Sequence, residues 1–150
     1  MPYSYRQLSS SDVALLKNLL QVFGQAFHDV PTYQEAIPSD AYLQALLAKP
    51  HFIALVAMHG DQAVGGLAAY ELDKFERERR EIYIYDLAVA AEHRRKGLAT
   101  HLIKELQRIA KTRQAYVIFV QADPEDEPAI HLYASFGKRE SPFHFDIPVE

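Results

Sequence analysis

Three consecutive cations, Arg94, Arg95 and Lys96, stand directly before Gly97 and a segment with the apolar spacing of a helix. A helix N-terminus carries partial positive charge, so cations are unfavourable there unless an anion accompanies them. The free backbone N–H groups of a helix start bind phosphate, and the small Gly97 and Ala99 leave room for it. The pattern therefore predicts a phosphate-bearing ligand; the alternative is an ordinary exposed basic loop.

A single carboxylate, Asp86, interrupts a segment that otherwise has the composition of a strand. Residues 81–89, EIYIYDLAV, are rich in β-branched and aromatic side chains, which favour strands. Burying a carboxylate without a partner is costly in free energy, so this placement suggests a chemical role. The alternative is a strand-end carboxylate that backbone amides or an arginine satisfy. Strict alternation puts Glu81, Tyr83 and Tyr85 on one face and Asp86 on the other, unless a bulge intervenes.

Composition and motifs exclude several other kinds of site. The chain has no cysteine, so disulfides and thiolate ligands are excluded, and its seven histidines lack metal-ligand spacing, so we expect no metal. The Walker-type Gly-x-x-x-x-Gly-Lys-Ser/Thr loop and the dinucleotide Gly-x-Gly-x-x-Gly motif are both absent. A formal net charge of −4 argues against a nucleic-acid partner and is compatible with a cationic substrate.

The length and the hydropathy of the chain predict one cytoplasmic domain, residues 1–150. The first twenty residues lack the charged and apolar regions of a signal peptide. No apolar run approaches the roughly 20 residues that cross a membrane, so we expect no membrane partner.

The apolar periodicity predicts an α/β (α+β) fold with a mostly antiparallel sheet and one β-α-β crossover between residues 81 and 122. Paired glycines at 65 and 66 indicate a bulge or a close approach by another backbone. Strands are predicted at residues 3–8, 51–58, 62–72, 81–89, 115–122 and 141–149. Helices are predicted at residues 13–27, 41–49 and 97–111, with a short fourth helix that ends at Gly137.

Two stretches resemble the motifs of one enzyme superfamily. DLAVAAEHRRKGLATHLI resembles the acyl-CoA-binding motif of the GNAT N-acetyltransferases, Arg/Gln-x-x-Gly-x-Gly/Ala, through Arg94, Gly97 and Ala99. DEPAIHLYASFGKRE resembles the second motif of that superfamily, a loop and helix with Leu-Tyr-x-x-x-Gly. The resemblance implies the GNAT fold, a sheet of about six to seven strands splayed at the central parallel pair, with four helices.

Nearly the whole chain is also similar to the type I aminoglycoside 3-N-acetyltransferases, for example in EIYIYDLAV, EHRRKGLAT and HFDI. That resemblance implies acetyl transfer from acetyl-CoA to the 3-amino group of 2-deoxystreptamine antibiotics such as gentamicin, which confers resistance, and a homodimer. Two alternatives remain, a GNAT enzyme that acetylates a polyamine or other small metabolic amine, and a CoA-binding module without turnover.

The resemblance implies a site for acetyl-CoA along the first motif. The pyrophosphate is expected on the backbone of residues 94–100, and the pantetheine arm beside Leu87 and Val89, which requires the strand at 115–122 to splay away. The expected cofactor-binding residues are Leu87, Ala88, Val89, Arg94, Arg95, Lys96, Gly97, Leu98, Ala99, Thr100, Asp126, Ala129 and Tyr133.

The catalytic groups follow from the chemistry of acetyl transfer. The attacking amine must lose a proton, so a base must take it directly or through water, and a carboxylate near the amine would suit this role. Asp86 is our first candidate, and Glu81 and Tyr83 stay open, because many members of the superfamily carry the base or its water from the position of Tyr83. Tyr133 is the candidate acid for the leaving thiolate; the alternative is that it only packs as a helix aromatic.

A polycationic substrate needs several carboxylates around one pocket. We predict that Tyr85, Asp123, Asp126 and Asp146 contact the substrate. Further acidic residues that could join this rim are Glu35, Asp40, Glu125 and Glu127.

Overall fold

Five strands form one mixed sheet in the computed structural model, which describes residues 2–149. The strands lie in the sheet in the same order as along the chain. Neighbouring strands among the first four pair antiparallel. The fifth strand pairs parallel with the fourth, across a helical crossover. The strands are β1 (Ser4–Gln7), β2 (Phe52–His59), β3 (Gln62–Asp73), β4 (Arg80–Val89) and β5 (Ala115–Val120).

Five α-helices connect and cover these strands, and a 3-10 turn at Ala91–His93 follows β4. Ser39 caps the third helix by accepting a hydrogen bond from the Tyr42 backbone N–H. The helices are α1 (Val13–Ala26), α2 (Val30–Gln34), α3 (Asp40–Ala48), α4 (Leu98–Thr112) and α5 (Glu127–Ala134).

The sheet separates two apolar layers. On one face, the buried side of α4, including Leu102 and Leu106, packs with Ile82 and Ile84 of β4. On the other face, α1 and α3 pack against the alternate residues of β2, and Phe23 of α1 is almost fully buried. The three- and four-residue apolar spacing that predicted these helices therefore marks the sides that face the sheet.

Gly66 lies where two elements approach β3 most closely. A Cβ atom at this position would contact the carbonyl oxygen of Leu55 and would lie 2.7 Å from Cδ1 of Leu19. The pairing of β2 with β3 also shifts register between Ala57 and Met58. Both expectations for the paired glycines, a close approach and a bulge nearby, are confirmed.

A bulge in β4 changes which side chains face which layer. Ala68 of β3 pairs with Asp86, whereas the next residue pairs with Ile84, so Tyr85 has no partner across the ladder. Before the bulge the even-numbered residues of β4 face α4, and after it Leu87 packs on that side instead. Asp86 is thereby brought to the same face as Tyr83, which strict alternation had placed opposite.

β4 and β5 separate beyond the middle of β4. Their pairing ends at Ile84 and Val120, so the last residues of β4 lie beside no strand on that side. The predicted splay of the parallel pair is confirmed, and it leaves the backbone of Leu87–Val89 accessible from the β5 side.

Two features of the predicted fold are wrong. Residues 141–149 form no strand, and the described chain has a five-stranded sheet, not six to seven strands. It also has five α-helices, not four, since α2 forms around Pro31, in a stretch for which no helix was predicted. Proline is well tolerated in the first turn of a helix, and Asp29 caps α2 by accepting from the Thr32 N–H.

Candidate active site

The Asp86 carboxylate is held by a residue that the sequence did not single out. Tyr33, in α2, donates a hydrogen bond from its hydroxyl to Oδ1 of Asp86 over 3.1 Å. Burial raises the pKa of Asp86, and this hydrogen bond opposes the rise by stabilising the ionised form. Asp86 is therefore a partly desolvated carboxylate with a stronger tendency to take up a proton than an exposed aspartate.

Aromatic rings form a wall beside Asp86 on this face of the sheet. Tyr83 stacks on Phe119 with ring centroids 4.7 Å apart, and Tyr85 meets Tyr83 edge-on at 5.6 Å. Tyr70 of β3 lies 6.1 Å from Tyr85 in the same edge-on geometry. Tyr85 is 63% exposed, so its ring, predicted to contact the substrate, is accessible to one.

The Tyr83 hydroxyl stays protonated at neutral pH. Burial is the main reason that its pKa is raised, and the charges of Tyr85 and Asp86 add to the rise. The hydroxyl donates a hydrogen bond to the side-chain oxygen of Gln121, 3.1 Å away. Tyr83 therefore presents a neutral hydroxyl on the same face of the sheet as Asp86.

Glu81, the other candidate carboxylate on β4, lies away from Asp86. Five residues of strand separate the two, which corresponds to about 16 Å at roughly 3.3 Å per residue. Tyr116 donates a hydrogen bond to Glu81 over 2.7 Å, and the Lys74 ammonium lies 3.6 Å from its carboxylate. These contacts satisfy Glu81 at the far end of the strand, so the structure does not bring it together with Asp86.

Tyr133, on α5, is influenced by the charge of Asp86. Burial first, then the charges of Asp126 and Asp86, raise the pKa of Tyr133 to about 12. Asp126 is the N-cap of α5 and accepts a hydrogen bond from the Ala129 N–H over 3.2 Å. Tyr133 thus remains protonated at neutral pH, so its hydroxyl is present as a hydrogen-bond donor.

The predicted anion site lies at the start of α4. Gly97 is the N-cap residue, with φ of 78°, and Arg95 also has a positive φ of 62°. A Cβ atom on Gly97 would meet nothing within 4 Å, so the left-handed backbone is the reason for glycine here. No side chain caps the helix, and the N–H groups of residues 98–100 have no acceptor within the described chain. The site therefore fits a phosphate.

Arg94 links this helix start to the open end of β4. Its Nε donates a hydrogen bond to the carbonyl oxygen of Val89 over 3.0 Å, while Arg95 and Lys96 are exposed. Leu98 is buried in the core, so it presents only its backbone to a ligand. The Arg94 hydrogen bond thus joins the loop before α4 to the open end of β4.

The predicted acidic rim is spread over several elements. Asp123 is exposed in the loop after β5, Asp126 caps α5, and Asp146 is 95% exposed and lies 2.9 Å from Nε2 of His144. Asp40 pairs with Lys17. The structure places no contact between any of these carboxylates and Asp86 among the described residues.

A comparison with protein families and solved structures identifies the superfamily. Residues 16–137 match the family model described as the acetyltransferase (GNAT) family. The chain belongs to the GNAT acetyltransferase family. GNAT acetyltransferases transfer an acetyl group and use acetyl-CoA.

Solved GNAT structures resemble this chain over its full length. One, an aminoglycoside acetyltransferase from an uncultured soil metagenomic sample, is 56% identical, with a TM-score of 0.98 and 100% of both chains covered. A second aminoglycoside acetyltransferase from such a sample, in complex with sisomicin, is 29% identical, with a TM-score of 0.91 over 99% of this chain and 97% of that one.

Curated GNAT relatives match a shorter segment. N-alpha-acetyltransferase 30 of Xenopus laevis is 29% identical over 85 residues, which are 57% of this chain and 31% of that protein. N-acetyltransferase 8B of Rattus norvegicus is 24% identical over 90 residues, 60% of this chain and 40% of that protein. The chain therefore spans well under half of the length of the curated relatives it matches.

Residues 2–149 contain neither a metal-binding cluster nor a membrane-spanning helix. No group of three or more His, Cys, Asp or Glu side chains there is arranged to hold a metal ion. None of the described helices is both long and apolar enough to span a membrane.

Proposed function

We propose that this GNAT enzyme is an aminoglycoside 3-N-acetyltransferase that acetylates 2-deoxystreptamine antibiotics such as gentamicin. The observation that carries the substrate class is the 56% identity, over all of both chains, with an aminoglycoside acetyltransferase. The choice of the 3-amino group rests on the sequence resemblance to the type I enzymes. Acetylation there removes a positive charge from the drug.

In the proposed reaction, the neutral amine attacks the thioester carbonyl carbon, a C–N bond forms and the C–S bond breaks. Asp86 takes the proton from the amine, directly or through a water molecule, and burial raises the pKa of Asp86 toward the range of an effective base. The leaving thiolate takes a proton from Tyr133. Backbone N–H groups near Leu87–Val89 stabilise the negative oxygen of the tetrahedral intermediate.

The proposed binding mode of acetyl-CoA uses backbone more than side chains. The pyrophosphate accepts from the free N–H groups at the start of α4, with Arg95 and Lys96 as exposed counterions. The pantetheine amides pair with the open edge of β4, as an added strand would. The splay of β5, the left-handed Gly97 and the uncapped helix support this assignment.

The proposed acceptor site lies on the aromatic wall beside Asp86. Ammonium groups are attracted to the faces of aromatic rings, and the ring of Tyr85 is exposed and can provide such a face. Of the predicted acidic residues, Asp123, Asp126 and Asp146 supply negative charge from exposed positions. We propose that they attract the polycation and that Asp86 selects the reacting amine.

A thiol-release assay with acetyl-CoA tests the proposal. The enzyme should release CoA rapidly when gentamicin or sisomicin is the acceptor. It should not do so with spermidine or with a peptide that has a free N-terminus. Release with spermidine but with no aminoglycoside would replace the proposal by its polyamine alternative. Binding of acetyl-CoA without release to any amine would leave a CoA-binding module.

A further inference from the structure

Three histidines that the proposed reaction does not use lie around the loop before α4. His59 is the last residue of β2, and His93 ends the 3-10 turn directly before this loop. His101 lies in the first turn of α4, where its N–H donates to the carbonyl oxygen of Gly97 over 3.0 Å. His93 and His101 therefore lie at the two ends of residues 94–97, the loop that leads into the predicted anion site.

A tyrosine that directly precedes β1 contacts the first of these ends. Oη of Tyr3 and Nδ1 of His93 share a hydrogen bond of 2.8 Å across 90 residues of sequence. The two rings meet edge-on with centroids 5.7 Å apart, and the ring of His59 lies 5.4 Å from Tyr3 and 5.0 Å from His93. All three residues are partly buried, so His93 is held in a small cluster of rings from three parts of the chain.

A second tyrosine, Tyr5 of β1, contacts the other end of the loop. Its ring stacks on His101, with centroids 3.8 Å apart and an angle of 8° between the planes. Tyr3 and Tyr5 are two residues apart along the extended chain, so both side chains lie on one face. This face is covered by α4, because both tyrosines pack against the apolar cluster that contains the buried side of this helix. The start of the chain thus contacts both ends of the loop.

The backbone of the loop needs such support. Arg95 and Gly97 both have a positive φ, 62° and 78°, and the left-handed conformation is uncommon and strained for a residue other than glycine. Residues 94–97 are exposed, so burial of their side chains does not impose this conformation. A strained backbone persists only when the surrounding structure holds it. The contacts of His93 and His101 supply that support at the two ends.

We infer that Tyr3 and Tyr5 are positioning residues for acetyl-CoA. Through His93 and His101 they hold the loop in the conformation that presents the free N–H groups of α4 to the pyrophosphate. The inference rests on the proposed binding of the pyrophosphate at this helix start, and it does not depend on the identity of the acceptor. A protein that is only partly in its binding-competent conformation binds its ligand more weakly, in proportion to the competent fraction. Loss of either contact should therefore weaken CoA binding without altering the groups that react.

The affinity of the enzyme for CoA, measured by calorimetry, tests the inference. Tyr3→Phe removes only the hydroxyl, and it should raise the dissociation constant of CoA roughly three- to tenfold, the range expected for the loss of one hydrogen bond. The KM for acetyl-CoA should rise by a similar factor, while kcat at saturating acetyl-CoA stays the same. If Tyr3→Phe binds CoA as tightly as the parent chain does, whatever its thermal stability, the inference is wrong.

Tyr116→Phe is the matched control for this measurement. It also removes one hydrogen-bonded hydroxyl, which donates to Glu81 over 2.7 Å at the far end of β4, and it should leave the affinity for CoA unchanged. Gly97→Ala tests the pyrophosphate site itself. Weaker CoA binding by Gly97→Ala but not by Tyr3→Phe would reject the positioning role alone, whereas unchanged binding by both would also reject the proposed site.

A donor without phosphate locates the effect. S-acetylpantetheine has the thioester and the amides of acetyl-CoA but lacks its pyrophosphate. Below saturation, Tyr3→Phe should lower the rate with acetyl-CoA and leave the rate with S-acetylpantetheine unchanged. An equal loss with both donors would show that the hydroxyl does not act through the pyrophosphate loop, and it would refute the inference.

A double-mutant cycle tests whether Tyr3 acts through His93. His93→Ala should weaken CoA binding, and Tyr3→Phe added to it should have little further effect, because both changes remove the same hydrogen bond. His93→Asn keeps a side-chain amide near the position of Nδ1 and should retain most of the affinity. Losses of binding free energy that simply add in the double variant would contradict positioning through His93.

Discussion

The hydroxyl of Tyr33 in α2 and Oδ1 of Asp86 in β4 are joined by a 3.1 Å hydrogen bond across 53 residues of sequence. Burial makes ionisation of Asp86 unfavourable, and this donor compensates in part. The balance between the two effects sets the pKa of the proposed base, so Tyr33 is a positioning residue that acts through Asp86.

Tyr33→Phe should move the acid limb of the profile of kcat/KM against pH to higher pH. The substitution removes the donor that favours the carboxylate, so burial then raises the pKa of Asp86 further and a higher pH is needed to ionise it. The rate well above that limb should change little. A rate profile measured with thiol release gives the position of the limb.

Tyr116→Phe is the matched control for this prediction. Its hydroxyl donates to Glu81 over 2.7 Å, a similar contact at the far end of β4. If Asp86 is the base, the acid limb stays in place in this variant. A limb that moves with Tyr116→Phe and not with Tyr33→Phe would assign the base to Glu81.

Asp86→Asn should lower kcat by about 10²- to 10⁴-fold, the usual contribution of a general base, while acetyl-CoA still binds in calorimetry. Asp61→Asn makes the same chemical change in an exposed turn and should be silent. Nearly normal turnover by Asp86→Asn would remove Asp86 from the reaction.

The same variant should gain thermal stability near neutral pH. The pKa of Asp86 is raised in the folded protein, so the fold binds this proton more tightly than the unfolded chain does, and ionisation of Asp86 opposes folding. That cost is present above the raised pKa and disappears as the pH falls through it. Melting curves of Asp86→Asn and the parent chain should therefore differ at neutral pH and converge in acid.

Tyr133→Phe should lower kcat roughly 10- to 100-fold with little change in melting temperature, because the ring and its packing are retained. With a pKa of about 12, Tyr133 holds its proton throughout the working range, so its own ionisation should produce no alkaline limb below about pH 11. Tyr42→Phe, on an exposed side chain, is the control. Equal rates for Tyr133→Phe and the parent would reduce Tyr133 to a packing role.

Gly97→Ala should weaken acetyl-CoA binding and lower the free energy of unfolding by about 1 kcal/mol, since alanine is strained at a φ of 78°. Gly137→Ala is the control, because its φ is not in the left-handed region and a Cβ atom there meets nothing within 4 Å. Chemical denaturation and calorimetry measure the two effects. Unchanged affinity in Gly97→Ala would argue against a ligand that depends on this turn.

Local patterns were sufficient to predict most elements of the fold. Apolar spacing predicted α1 and α4, and the strands predicted at residues 51–58 and 62–72 correspond to β2 and β3. The register of β4 was harder, because a bulge is fixed by pairing with β3 and not by the residues of one strand alone. Strict alternation placed Tyr83 and Asp86 on opposite faces of β4. The bulge at the unpaired Tyr85 places them on the same face.

Two parts of the site depend on contacts that sequence does not display. Tyr33 sits in a five-residue helix, too short to give a periodic signal, and its partner is 53 residues away. Residues 141–149 have the alternating pattern of a strand, but they pair with no strand of the described chain and therefore form none. The predicted acidic rim depends on the conformation of loops, and the spacing of residues along the sequence does not indicate that conformation.

The position of the acetyl group on the product tests the central claim most directly. Gentamicin should be incubated with acetyl-CoA and the enzyme, and the purified product analysed by two-dimensional NMR. The proposal predicts one new amide, on the 3-amino group of the 2-deoxystreptamine ring, and none with Asp86→Asn over the same time. Acetylation at any other amine, or an unmodified drug, would contradict it.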